Sequence, residues 1–250
     1  MQISKQDVIV RVISLKESQA RRQAVHESLK DFPLEWEFFD AHRENTPTSL
    51  LVEPRRQVSA MGRELTSAEI GTTKSHYHVL DCFAEHEKAK WILVLEDDVL
   101  VDCQFDYLGF LNFAASKGIE HLRLFTKYYR NGKIIDWFGS YQLVRMGQDP
   151  FGAQGYFMSR KAAKAFQESI THVDRPMDEE HARFWDKGFP IYTVFPFPIL
   201  ERAVPSTQDL ARQAAIDESS DKHSPRSLAR WKDALARRLA ILSFMLGGRN

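Results

Sequence analysis

The chain has 250 residues, 43% of them hydrophobic and 27% charged, a composition that suits a soluble globular protein with one sizeable core and excludes a wholly disordered chain. Its 34 lysines and arginines balance 34 aspartates and glutamates, so no net field draws the molecule to nucleic acid, which is not an expected partner. The two cysteines form no Cys-x-x-Cys pair, no secretory pattern opens the sequence, and no apolar run reaches the ~20 residues that span a bilayer, so a cytoplasmic protein is expected.

Residues 8–15 are rich in β-branched side chains and read as a strand, followed by a polar helix over 19–29. A second short strand over 36–39 is reached through Phe32-Pro33. Residues 46–61, with two prolines and weak periodicity, read as a loop. Thr66-Ser67-Ala68-Glu69 is a capping box, in which the threonine hydroxyl accepts from the amide three residues on while Glu69 reaches back. Ile70, Thr73, Tyr77, Leu80 and Ala84 then recur at helical spacing.

The unbroken apolar run of residues 91–95 fits a strand covered on both faces. After it come a helix over 105–116 and strands over 121–125, 140–145 and 155–159. Helices over 160–169 (capped by Ser159) and 177–187, then a strand over 191–195, complete the alternation. Such alternation predicts an α/β fold, a mixed sheet flanked by helices. A polar linker over 219–225 divides a domain over 1–218 from a C-terminal segment over 219–250.

The acidic stretch Leu95-Glu96-Asp97-Asp98-Val99 carries the most chemistry. Three successive carboxylates repel one another and cannot end a buried strand unpaired. A divalent cation resolves the conflict, because hard oxygen ligands suit Mg²⁺ or Mn²⁺. Strand alternation puts Glu96 and Asp98 on one side and Asp97 on the other. In open α/β sheets ligands bind beyond the carboxyl ends of strands, where this cluster falls. The plainer alternative is a solvated acidic turn.

Several segments together resemble glycosyltransferase family 25, the lipooligosaccharide galactosyl- and glucosyltransferases. Val12-Ile13-Ser14-Leu15 with Ser18 and Arg21-Arg22 is similar to the family's opening strand and Arg-bearing helix, and Phe38-Phe39-Asp40-Ala41 to its second strand. Leu65 to Gly71 with Ser75-His76 resembles its Glu-Ile-Gly helix, and Ile92 to Val99 its acidic strand. Gly155-Tyr156-Phe157-Met158-Ser159, Met177-Asp178 and the segment from Val194 to Ile199 resemble the later pieces. Ser14 stands where Asn is expected, Thr72-Thr73-Lys74 replaces a Cys-Ala-Leu type of stretch, and His42-Arg43 stands for Asp-Gly.

The resemblance implies a GT-A-like, Rossmann-like nucleotide-binding sheet and an inverting transfer of a hexose from UDP-galactose or UDP-glucose to a glycolipid or oligosaccharide acceptor. It implies Asp98 as the ligand of Mn²⁺ or Mg²⁺, with Glu96 and Asp97 supporting the metal or the ribose. Ser14, Leu15, Arg21 and Arg22 are candidates for holding the nucleotide, although two consecutive arginines on a helix are more often solvated surface. Glu69, Ser75 and His76 share one helix at family positions, with Glu69 also explained as a cap. His76 and His78 diverge on a helix, which argues against a His-His metal site. Asp178, with Glu179 as its neighbour, is the candidate general base, against a plain role in the helix dipole.

Two rival classes are a catalytically silent sugar-nucleotide or carbohydrate-binding module and a metal-dependent phosphoesterase. The last feature is Ser227–Leu246, a basic amphipathic helix. Residues 222–250 hold seven cations against Asp233 alone, a net +6 that leaves −6 on the rest. Leu228, Trp231, Leu235, Leu239 and Leu242 form one apolar stripe, followed by an apolar end from Phe244 to Leu246. It reads as a peripheral anchor to an anionic membrane surface, the cytoplasmic face of the inner membrane, or as a helix packed on the domain.

Overall fold

The computed structural model describes residues 2–85, 88–129, 131–148, 150–187, 190–202 and 228–246. Its strands are β1 (Val8–Ser14), β2 (Trp36–Asp40), β3 (Trp91–Glu96), β4 (Val99–Val101), β5 (His121–Arg123), β6 (Gly132–Phe138), β7 (Tyr141–Met146), β8 (Gly155–Ser159), β9 (Ile191–Phe195) and β10 (Ile199–Glu201). The helices are α1 (Gln19–Ser28), α2 (Pro54–Met61), α3 (Ser67–Ala84), α4 (Tyr107–Ser116), α5 (Arg160–Glu168), α6 (Met177–Ala182), α7 (Phe184–Lys187) and α8 (Leu228–Met245).

The apolar run of β3 determines the layering. Trp91, Leu93 and Leu95 enter one core, shared with Val25 of α1 and Phe110, Leu111 and Ala114 of α4. Ile92 and Val94 point the other way, into a core shared with Val79, Leu80 and Phe83 of α3 and Ala162, Ala163 and Phe166 of α5. A strand with no polar face requires helices on both sides, and it has them.

The eight-stranded sheet has the order β2-β1-β3-β8-β5-β9-β7-β6. Strands β2, β1 and β3 are parallel, β8 runs antiparallel between β3 and β5, β9 is parallel to β5, and β7 and β6 close the edge antiparallel. The fold is therefore α/β with a mixed sheet, as the alternation predicts. Strands β4 and β10 form a separate antiparallel ribbon.

Three expectations need correction. The stretch over 46–61 is not all loop: α2 starts at Pro54, where a first-turn proline forfeits no helical hydrogen bond, and ends on Gly62 at φ 83°. The helix expected over 177–187 breaks at Arg183 (φ −83°, ψ 56°), whose side chain is drawn to α8. Strand β6 lacks a polar-apolar alternation, so the expectation that this part of the sheet opens only at residue 140 is too short; it is an edge strand exposing Ile134, Ile135 and Trp137.

The linker over 219–225 and the boundary at 218/219 lie outside the described residues. Helix α8 packs on the body of the domain. Ala240 and Ile241 meet Val144, Met146, Ala182 and Ile191, and Phe244 is buried against Gly147. Arg183 donates to Asp233 Oδ1 and Oδ2 at 2.7 and 3.0 Å. Among the described residues no helix is long and apolar enough to cross a membrane.

Candidate active site

Parallel register sets Ile13 of β1 beside Glu96 of β3, so Ser14 and the acidic turn emerge together at the carboxyl end of the sheet. A cleft of about 690 Å³ opens there, a size ordinary for a small-molecule site. Ser14, Leu15, Arg21, Glu69, Ser75, His76, Glu96, Asp97, Asp98 and Asp178 all line it. Arg22 and Glu179 do not. Arg22 turns to Asp40, donates to Ser14 O at 2.9 Å and lies over the Phe38 ring, which suits a structural tie between β1 and β2.

The three carboxylates have three different environments. Strand β3 ends at Glu96, so Asp97 and Asp98 sit in the turn before β4, and simple strand alternation does not extend to them. Asp97 is satisfied: Ser14 Oγ donates to its Oδ2 at 2.7 Å and Arg21 Nη1 to its Oδ1 at 2.8 Å. Glu96 accepts from His76 Nε2 at 3.1 Å. Asp98 Oδ1 is buried without a hydrogen-bond partner among the described residues.

Burial, with Asp178 and Asp97 nearby, pushes the Glu96 carboxyl up to about 8. Burial and then Glu96 push Asp98 up to about 7. Both groups resist ionising together because like charges in a poorly solvated site repel.

His76 is wholly buried and its pKa falls to about 3, chiefly by desolvation. It is therefore neutral and its contact with Glu96 is a hydrogen bond rather than an ion pair. The Tyr156 hydroxyl, held protonated by burial, lies 3.1 Å from His76 Nδ1. With Nε2–H facing the carboxyl, Nδ1 accepts from Tyr156, and a Tyr156–His76–Glu96 chain orients the Glu96 side chain. Nothing in the sequence motif of residues 155–159 assigns Tyr156 this role. A tyrosine within the wholly buried strand β8 is the available signal, since its hydroxyl needs a partner.

The helix α3 wall is built for close packing. The capping box of Thr66 and Glu69 is formed, and Arg63 donates to both Glu69 carboxylate oxygens at 2.7 and 2.8 Å. Ser75 Oγ accepts from His42 N and donates to Gly71 O, each at 2.7 Å. A Cβ on Gly71 would stand 2.8 Å from His42 O, so glycine is what lets α3 approach the loop at 42–43. Glu69 and Ser75 thus face the cleft with their polar atoms already engaged.

Asp178 lines the cleft from the first turn of α6, whose Met177 packs in the same core as α3. Its charge is felt by Glu96, His76 and the fully buried Arg123. Lys127 also lines the cleft; nothing in its sequence surroundings announces it.

The fit of a cation can be judged from these groups. Glu96 and Asp98 are hard oxygen donors raised towards protonation, and Asp98 offers a buried oxygen with no hydrogen-bond partner among the described residues. Among the described residues no three His, Cys, Asp or Glu side chains converge on one point. Mg²⁺-type binding takes one or two carboxylates and completes its shell with phosphate and water. The residues fit such an ion.

Residues 9–180 match the model of glycosyltransferase family 25 (LPS biosynthesis protein). The lipooligosaccharide biosynthesis protein lic2B of Haemophilus influenzae is 26% identical over 168 residues, 64% of this chain and 62% of that protein. The match thus spans less than two thirds of the length of that relative. Among solved structures, A197 from STIV superposes with a TM-score of 0.42 at 13% identity, covering 74% of this chain and 80% of its own. A glycosyltransferase involved in glycosylating the major capsid of PBCV-1 gives 0.35 at 10% identity, covering 64% and 65%.

Proposed function

We propose that this chain, which belongs to glycosyltransferase family 25, transfers a hexose from UDP-galactose or UDP-glucose to a lipooligosaccharide or lipopolysaccharide acceptor, with inversion at the anomeric carbon. The observation that carries the reading is the buried, unpartnered Asp98 Oδ1 beside Glu96, facing the cleft at the sheet's carboxyl end. Asp98, with Glu96 alongside, would hold Mn²⁺ or Mg²⁺, which neutralises charge on the departing nucleoside diphosphate.

The chain's own groups account for the remaining work. Arg21 is fixed by Asp97 at 2.8 Å and partly open to the cleft, a cation suited to diphosphate oxygens. Asp178, which lines the same cleft, takes the proton of the acceptor hydroxyl as its oxygen bonds to the anomeric carbon; the bond from that carbon to the diphosphate oxygen breaks and UDP leaves with the electron pair. Two free thiols, Cys82 and Cys103, favour a reducing, cytoplasmic setting, peripheral to the inner face of the membrane that carries the acceptor.

The test is incubation with radiolabelled UDP-galactose and UDP-glucose, lipooligosaccharide acceptors, and Mn²⁺ or chelator. Transfer that stops in chelator supports the reading. Donor binding without turnover would leave a silent sugar-nucleotide-binding module instead.

A further inference from the structure

Helix α8 seats one side on the domain and leaves a row of large apolar side chains facing outward. The inward side is anchored by Asp233, which accepts from Arg183 at 2.7 and 3.0 Å and from Trp185 Nε1 at 3.1 Å. Ala240 and Phe244 follow on the same side and pack against the domain. At 3.6 residues per turn the opposite side carries Leu228, Trp231, Leu235, Leu239, Leu242 and Leu246. These are 72, 56, 58, 58, 53 and 81% exposed. A helix packed on a globular domain normally turns its main apolar stripe inward, and a continuous exposed apolar stripe marks an interaction surface.

We propose that this stripe is the surface by which the chain lies on an anionic lipid bilayer. The charge pattern selects that occupant. Lys232 and Arg238 are exposed along the margins of the stripe, and Asp233, the sole acid between Leu228 and Leu246, is turned inward. A second copy of the chain would bring like charges together across the stripe, with no carboxylate among the described residues of that helix side to pair them. A layer of phosphate headgroups supplies the missing anions, and the apolar side chains enter the boundary beneath. An 18-residue helix lying flat engages such a surface along about 27 Å. The inference stands on the packing of α8; only its purpose, bringing the cleft to a glycolipid, rests on the transferase reading.

The experiment is flotation of the full chain with vesicles of phosphatidylglycerol and phosphatidylethanolamine, against vesicles of phosphatidylcholine alone. Binding is expected to the anionic vesicles at low salt and to weaken as salt rises. The double variant Leu235→Gln, Leu239→Gln should lose at least about tenfold in bound fraction, with melting unchanged because both side chains are mostly exposed. The double variant Lys232→Gln, Arg238→Gln should flatten the salt dependence. Equal binding to both vesicle types, no binding, or a leucine variant that still floats would overturn the proposal. So would a concentration-dependent dimer that the leucine variant abolishes. Donor hydrolysis measured in parallel keeps the two readings apart: its absence in the unaltered chain counts against the transferase and leaves the vesicle result standing.

Discussion

Ser14 Oγ donates to Asp97 Oδ2 at 2.7 Å, so the last residue of β1 holds the turn that follows β3. Arg21 takes the other oxygen of the same carboxylate. Ser14 is 1% exposed, and water cannot readily replace its hydroxyl. Ser14→Ala should cost about 1–2 kcal/mol of stability and raise the KM for the UDP-sugar as Asp97 and Arg21 reorient. Thermal melting and donor titration check it; no change in either would mean that Arg21 alone fixes the turn.

Asp98→Asn keeps the volume of a group that burial and Glu96 hold near 7. Transfer should disappear, while melting in chelator should stay level or rise because a repelling carboxylate is gone. Mn²⁺ should raise the melting point of the unaltered chain and leave that of the variant where it is. A variant stabilised by Mn²⁺ as strongly as the parent would move the ligand elsewhere.

Asp178→Asn removes the proton acceptor without changing shape. The loss in kcat should be about 10²–10⁴-fold, with donor KM little altered, since the proposed base acts on the acceptor hydroxyl. Steady-state kinetics against both substrates separates this from a binding defect.

His121 is buried with Nε2 unpartnered among the described residues, and desolvation lowers its pKa to about 3. The unfolded chain binds this proton near 6.5 and the folded chain does not. Its contribution is therefore full above 6.5 and lost as pH falls from there towards 3, at about 1.4 kcal/mol per unit. Relative to His121→Phe, the unaltered chain should lose stability more steeply between pH 6.5 and 5. Parallel stability–pH curves would refute the assignment.

The legible parts of the fold were the local ones. The capping box of Thr66 and Glu69 lies within four residues, and the both-faces-buried β3 announces itself in its unbroken apolar run. What was hidden depends on distant partners. Arg183 breaks the α6 region because it is pulled to Asp233, 50 residues on. Asp97 is held by Ser14, 83 residues earlier. The His76–Tyr156 contact spans 80 residues. For α8 the stripe was legible, but which side of the helix faces the domain was not, because Asp233 decides it through side chains far away in sequence.

The insertion of β8 between β3 and β5 has a consequence for synthesis. Strand β3 ends at Glu96, and its antiparallel neighbour begins only at Gly155. A nascent chain that has released β1, β2 and β3 from the ribosome therefore presents an open, wholly apolar edge until the later strand emerges. Fragments terminated between those two points should be held by chaperones or aggregate. Halves divided there should become soluble only when produced together.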